Sequence, residues 1–275
     1  MADDSDARKA RTAATFGALA TDYDRGPGCS AHFGRRLVDF AAVKSGHRVL
    51  DVATGRGAVL FPAAERAGVT GEVLGTDFAH GMVDAVNAEA SRKGLPDVRT
   101  IVMDAEALDF PEGTFDRVLC GFGIMFLPHL QDALRGFGRL LRADGLLGVS
   151  TWHVSQADDL VTVLGDLHLA DAADALPLRL PDELASALAA AGFKDVQVQP
   201  DTATFRYADL ADYWHAARGT GMRPRLDRLD AGQTALVRQA LADRLRDGVR
   251  SDGLYVTATA LLASARPGRT MSTAQ

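Results

Sequence analysis

Asp51, Asp77 and Asp104 are the residues of this 275-residue chain whose type and spacing could do chemistry. Each closes a short apolar run, and the first is followed by Ala53-Thr54-Gly55-Arg56-Gly57, a turn that leaves its backbone bare. If the runs are parallel strands, their carboxyl ends share one rim, and ligands bind at that rim where strand order reverses. Three carboxylates converging there repel one another unless each holds a donor: an ammonium, a pair of hydroxyls, an amine. A dinucleotide is the main rival ligand. Its fingerprint, Gly-x-Gly-x-x-Gly, would need glycine at position 60, which is Leu60. Asp51 beside the turn would also repel a pyrophosphate and attract an ammonium. Asp77 does not discriminate, because dinucleotide folds also place an acid about twenty residues on. No Gly-Lys-Ser/Thr follows the turn, which excludes a P-loop.

The elements that must position these acids alternate along the chain. Strands are expected at about 47–53, 71–77, 98–104, 115–121, 145–151, 195–206 and 254–265. Helices are expected between them at about 30–42, 58–67, 80–93, 129–142 and 181–191. Leu130, Leu134, Phe137 and Leu141 recur at helical spacing, and Pro181-Asp182-Glu183 makes a good first turn. Alternation of this kind signals an α/β fold with a mostly parallel sheet. The last two strands lie far apart in sequence, too far for a hairpin loop, and 209–253 reads as a helical cap inserted between them. A second insertion is expected at about 153–180. The domain plan is an N-terminal lid segment (1–29), a core (30–208 and 254–266), the cap (209–253) and a flexible tail (267–275). Residues 1–12 are polar and read as loose.

A formal net charge of −6 argues against a nucleic-acid partner. Two cysteines, Cys29 and Cys120, give no disulfide framework, so a cytoplasmic location is expected. MADDSDARKA carries no apolar leader, and no run approaches the ~20 apolar residues of a membrane span. No His/Asp/Glu cluster has metal-ligand spacing.

Four segments, in order and at the right spacing, carry a family resemblance: VLDVATGRG (49–57), GTDFAHGMVDAV (75–86), VMDAEALDFPEGTFDRVLCGFGIMFLP (102–128) and GRLLRADGLLGVSTW (138–152). Over residues 12–152 the chain resembles the ubiquinone/menaquinone-type branch of class I S-adenosylmethionine (SAM)-dependent methyltransferases, especially actinobacterial small-molecule enzymes. Beyond residue 153 the likeness is architectural. The resemblance implies a Rossmann-like seven-stranded, mostly parallel sheet with an antiparallel last strand, SAM as cofactor and a small-molecule methyl acceptor.

Carried over by position, Asp51, Ala53, Gly55 and Gly57 surround the methionine end of SAM, and Asp77 accepts from the ribose hydroxyls. Phe78 and Met82 pack on the adenine. Asp104 receives its amine, with the Ala105 N–H near a ring nitrogen. The Cys120-Gly121 backbone lies where the ammonium is often held. Phe16, Tyr23 and Asp24 fall in a segment that folds over the cofactor. Ala53 stands where the motif has its first glycine, and Ala143-Asp144 replace a usual Pro-Gly turn.

A sulfonium methyl is already activated, so alignment does most of the work, and some relatives add a general base. His129, past the fourth strand, and His153, after Trp152, are the candidate catalytic residues. Met125, Phe126, Trp152, Tyr213 and Trp214 are the candidate acceptor contacts and favour an apolar secondary metabolite. His129 as a helix cap, and Tyr213 and Trp214 as plain core, are the competing structural readings. A SAM-fold enzyme that cyclises or rearranges its substrate, and a non-enzymatic SAM-binding module, are the other function classes. The chain is expected to act as a monomer or homodimer.

Overall fold

The computed structural model describes residues 2–23, 26–95, 97–169 and 176–268. The chain runs α1 (Ala2–Leu19), α2 (Cys29–Phe40), β1 (Arg48–Val52), α3 (Leu60–Ala67), β2 (Glu72–Asp77), α4 (His80–Arg92) and β3 (Val98–Val102). Then come β4 (Phe115–Gly121), α5 (Leu130–Leu140), β5 (Leu141–Val154), α6 (Asp158–Asp166), α7 (Pro181–Ala190) and β6 (Phe193–Tyr207). Helices α8 (Leu210–Arg218), α9 (Arg223–Leu226) and α10 (Ala231–Leu245) lead to β7 (Val249–Arg250) and β8 (Gly253–Pro267). The sheet has eight strands in the order β3-β2-β1-β4-β5-β8-β6, with two-residue β7 pairing β8. β1 pairs parallel with β2 and β4, as β3 does with β2 and β5 with β4, while β8 runs antiparallel between β5 and β6. This is the α/β, mostly parallel Rossmann-like architecture, with one short strand more than expected.

Apolar side chains alternate between two faces of the sheet, as a strand buried on both sides requires. Val49 joins the core with Phe33 and Leu37 of α2 and Leu60 of α3; Leu50 and Val52 join the opposite core with Leu134 and Phe137 of α5 and Leu184 of α7. Caps fix several starts. Pro181 opens α7 while Glu183 Oε2 accepts from the Leu180 N–H at 3.2 Å. Asp209 and Asp230 cap α8 and α10 through the N–H groups of Asp212 and Gln233.

Two expectations change. Residues 1–12 are not loose, because Ala2–Leu19 form one helix that crosses α4 where Gly17 and Gly81 meet. Residues 143–145 are not a turn: β5 begins at Leu141, and the extra residues are absorbed as a bulge between the Phe115–Leu141 and Arg117–Leu146 pairs. The expected insertion at 153–180 supplies α6, and 209–253 supplies α8 to α10 and β7. Asp24 and residues 269–275 of the expected tail lie outside the described residues.

Candidate active site

Strand order reverses between β1 and β4, and the crevice at their carboxyl ends holds the site. Asp51 is the penultimate residue of β1, Asp77 closes β2, and Asp104 stands just past β3, so the three acids do share one rim. All three line a single cavity, together with Tyr23, Ala53, Gly55, Phe78, Met82 and Ala105. Gly57 and Cys120 lie behind that wall. Gly57 closes the turn by donating its N–H to the Thr54 carbonyl at 2.8 Å, and Cys120 is fully buried, its thiol pushed up by burial.

The turn is left-handed at three places: Ala53 (φ 55°), Gly55 (φ 52°) and Gly57 (φ 81°). At Ala53 a side chain meets the crowding that makes this region unfavourable for non-glycine residues by about 1 kcal/mol. Its methyl faces Gly123, where any Cβ would come within 2.7 Å of it. Ala53→Gly is therefore expected to gain about 0.5 kcal/mol once the extra freedom of glycine in the unfolded chain is subtracted. Differential scanning calorimetry reads this as a small rise in Tm; a fall would show that the turn holds Ala53 without strain.

Asp51 is buried, and Thr54 Oγ1 donates to its Oδ2 at 2.7 Å. Its Oδ1 is also buried and has no hydrogen-bond partner among the described residues. Burial, with a smaller push from Asp77, raises the Asp51 carboxyl to about 7. Asp77 accepts from the Ala79 N–H at Oδ1 and from the Gly55 N–H at Oδ2, both at 2.9 Å. Burial still raises its carboxyl, against the pull of those backbone donors. A carboxylate oxygen has two lone pairs, so each keeps capacity for a ligand hydroxyl.

Asp104 is engaged from an unexpected quarter. Lys9 of α1 reaches into the cavity and pairs with Asp104 Oδ2 at 2.7 Å and with Glu106 Oε2 at 2.6 Å. Burial pushes Glu106 up, but Lys9 and His129 together outweigh it and hold the carboxyl below its ordinary range. With Lys9, Thr12 and Phe16 of α1 in its wall, the cavity is left at about 120 Å³.

A second cavity of about 460 Å³ adjoins the first. Phe16, Tyr23, Ser30, Phe122 and Phe126 line both. Phe122 holds a left-handed backbone (φ 56°), anchored by its N–H to Ser150 Oγ at 3.2 Å, and stacks on Trp152 with centroids 4.0 Å apart. Gln156, Asp158 and Arg179 add polar edge, and Met222 comes from the segment after α8.

Of the expected acceptor contacts, Phe126 and Trp152 face this cavity. Met125 is buried outside both walls. Tyr213 and Trp214 are buried in the core, and Tyr213 Oη donates to the Gln156 carbonyl at 2.7 Å, holding that loop from behind. His129 and His153 line neither cavity. His129 Nδ1 lies 3.0 Å from Glu106 Oε2 at the start of α5, and His153 Nδ1 lies 2.8 Å from the Arg179 carbonyl. Sequence reasoning passed over Lys9, Ser30, Gly34, Arg56 and Gln156. Arg56 sits inside the recognised turn and was legible; the others are brought in by tertiary packing.

A crevice at the switch point, a strained glycine turn over a buried acid and two adjoining cavities sharing an aromatic wall define a Rossmann-like fold with a cleft sized for small ligands. A family model described as a methyltransferase domain matches residues 49–145. Aklanonic acid methyltransferase DauC of Streptomyces sp. (strain C5) is 40% identical over 149 residues, 54% of this chain and 67% of that protein. Nocamycin O-methyltransferase of Saccharothrix syringae is 37% identical over 182 residues, 59% of this chain and 65% of that protein. Among solved structures, the YcgJ protein of Bacillus subtilis shares the fold, with a TM-score of 0.59 and 20% identity over 87% of this chain and 100% of that one. The chain belongs to this methyltransferase family. Its kinship does not favour a cyclase or a non-enzymatic module. No described helix is long and apolar enough to cross a membrane.

Proposed function

We propose that the chain transfers the methyl group of SAM to a small, largely apolar acceptor. The observation that carries this reading is Asp51, in the wall of a cavity that opens across Phe122 and Phe126 onto an aromatic-lined chamber, with its buried Oδ1 left without a partner among the described residues. A carboxylate oxygen stripped of water and left without a donor fits a ligand ammonium. In this reading Asp77 takes the ribose hydroxyls, Phe78 and Met82 flank the adenine, and Asp104 with Ala105 meets its amine edge. SAM supplies an activated methyl group; the protein supplies alignment and a dry path.

Tyr23 and Phe16 close the path from above, and Phe122, Phe126 and Trp152 hold the acceptor against it. Because His129 and His153 stand behind the walls, alignment carries more of the rate than proton abstraction does. The segment 209–253 acts as the cap over the acceptor chamber, which it lines through Ala216, Thr220 and Met222. The names of the two relatives above point toward natural products as the acceptor class. Calorimetry with S-adenosylhomocysteine (SAH), followed by transfer of labelled methyl from SAM to a panel of polyketide and aromatic acceptors, tests the reading. Tight SAH binding and labelled product are expected; absence of SAH binding sinks it.

A further inference from the structure

Two residues in the wall of the first cavity each carry a buried side-chain atom with no partner among the described residues, and the two atoms are of opposite kind. One is Asp51 Oδ1, an acceptor; the other is Arg56 Nε, a donor. They belong to the two ends of one short turn. Arg56 spends its Nη1 on the carbonyl of Ala20, just past the end of α1. Neither its Nε nor its Nη2 has a hydrogen-bond partner among the described residues. Nε and Nη2 form the side edge of a guanidinium, the edge that grips a carboxylate through two parallel hydrogen bonds. The turn itself does not call for arginine at this place: its geometry is set by the left-handed residues on either side, Gly55 and Gly57.

We infer that Arg56 binds the α-carboxylate of the cofactor's amino-acid end while Asp51 binds its ammonium, so that the turn reads a zwitterion. This rests on the SAM reading above and adds a specificity-determining residue to it. A buried donor and a buried acceptor that leave each other unsatisfied are each costly, and one ligand group bearing both charges relieves the two together. The pair also sets a preference: a ligand that keeps the ammonium but lacks the carboxylate leaves Arg56 Nε unsatisfied.

Calorimetry with SAH and with its decarboxylated analogue, which keeps the adenosyl thioether and the amine, tests this on wild type, Arg56→Ala and Arg56→Lys. Wild type is expected to bind SAH at least tenfold more tightly than the analogue. Arg56→Ala is expected to lose that preference by weakening SAH alone, and Arg56→Lys to retain part of it, since an ammonium pairs with a carboxylate but cannot grip it side-on. Equal binding of both ligands by wild type overturns the inference without recourse to any variant. Equal weakening of both ligands in Arg56→Ala overturns it too, and assigns Arg56 to fastening α1 alone. Wild type that binds neither ligand overturns the SAM reading beneath it.

Discussion

Asp51→Asn is expected to weaken SAH binding by roughly 100-fold or more and, at the same time, to raise the melting temperature of the empty protein at pH 8. The first effect follows from breaking a buried ion pair on one side, which costs about 3–5 kcal/mol. The second follows from the sign of the pKa shift. Burial lifts the folded-state carboxyl from 3.8 to about 7, so the empty folded protein binds a proton that the unfolded chain releases. Its contribution to stability is whole below pH 4 and is lost as pH rises through 7. Above neutrality the empty wild type buries a bare negative charge, at a cost on the order of 4 kcal/mol. Asparagine carries no charge and can still accept from Thr54 Oγ1. Thermal melts should therefore show a gap of several degrees in favour of Asp51→Asn at pH 8 and almost none at pH 4. SAH affinity of the wild type should fall as pH drops below 7, because the ammonium needs the carboxylate. A variant that binds SAH as the wild type does would remove Asp51 from the site.

Gly34→Ala is the second change with a large expected effect. Gly34 lies inside α2 and lines the first cavity, and a Cβ there would stand 2.0 Å from the Ala58 carbonyl oxygen and 2.6 Å from its carbon. Both are backbone atoms of the segment that follows the glycine turn, so no side chain can swing aside. The helix or the turn must move by more than an ångström, which overpacking data place at about 3 kcal/mol or above. Calorimetry should record a Tm lower by at least ~6 °C and an SAH affinity lower by more than tenfold. Gly136→Ala in α5 is the matched control, since its added methyl meets nothing within 4 Å. There the better helix propensity of alanine should stabilise by about 0.5–1 kcal/mol. If both variants melt alike, the close approach at Gly34 is not a constraint.

The contrast between these two glycines shows where sequence reading stops. The acids, the turn and the strand order they imply were legible because they are local: an apolar run, an acid, a glycine. Gly34 reads as an ordinary helical residue, since the carbonyl that forbids a side chain comes from another element. Lys9 reads as part of a polar leader, because its value lies in reaching Asp104 and Glu106 across the cleft. The histidines show a different limit. Successive residues of a strand face opposite sides of the sheet, so Trp152 lines the second cavity while His153 does not and instead lies against the Arg179 carbonyl. Proximity to the rim was readable there; direction was not. Tyr213 and Trp214 were balanced between pocket and core by their aromatic character, and only packing placed them in the core.

The placement of α1 has a consequence for how the two ligands meet. Its Phe16, with Tyr23 just after it, walls both chambers, while Lys9 narrows the first. On the proposed reading, with cofactor in the first cavity and acceptor in the second, any shift of α1 that admits one ligand reshapes the room left for the other. Such coupling is reciprocal: by whatever factor a bound cofactor tightens the acceptor, the acceptor tightens the cofactor. A titration of either ligand, with and without its companion, therefore measures one and the same interaction energy, and a chain cut free of α1 should bring that energy toward zero.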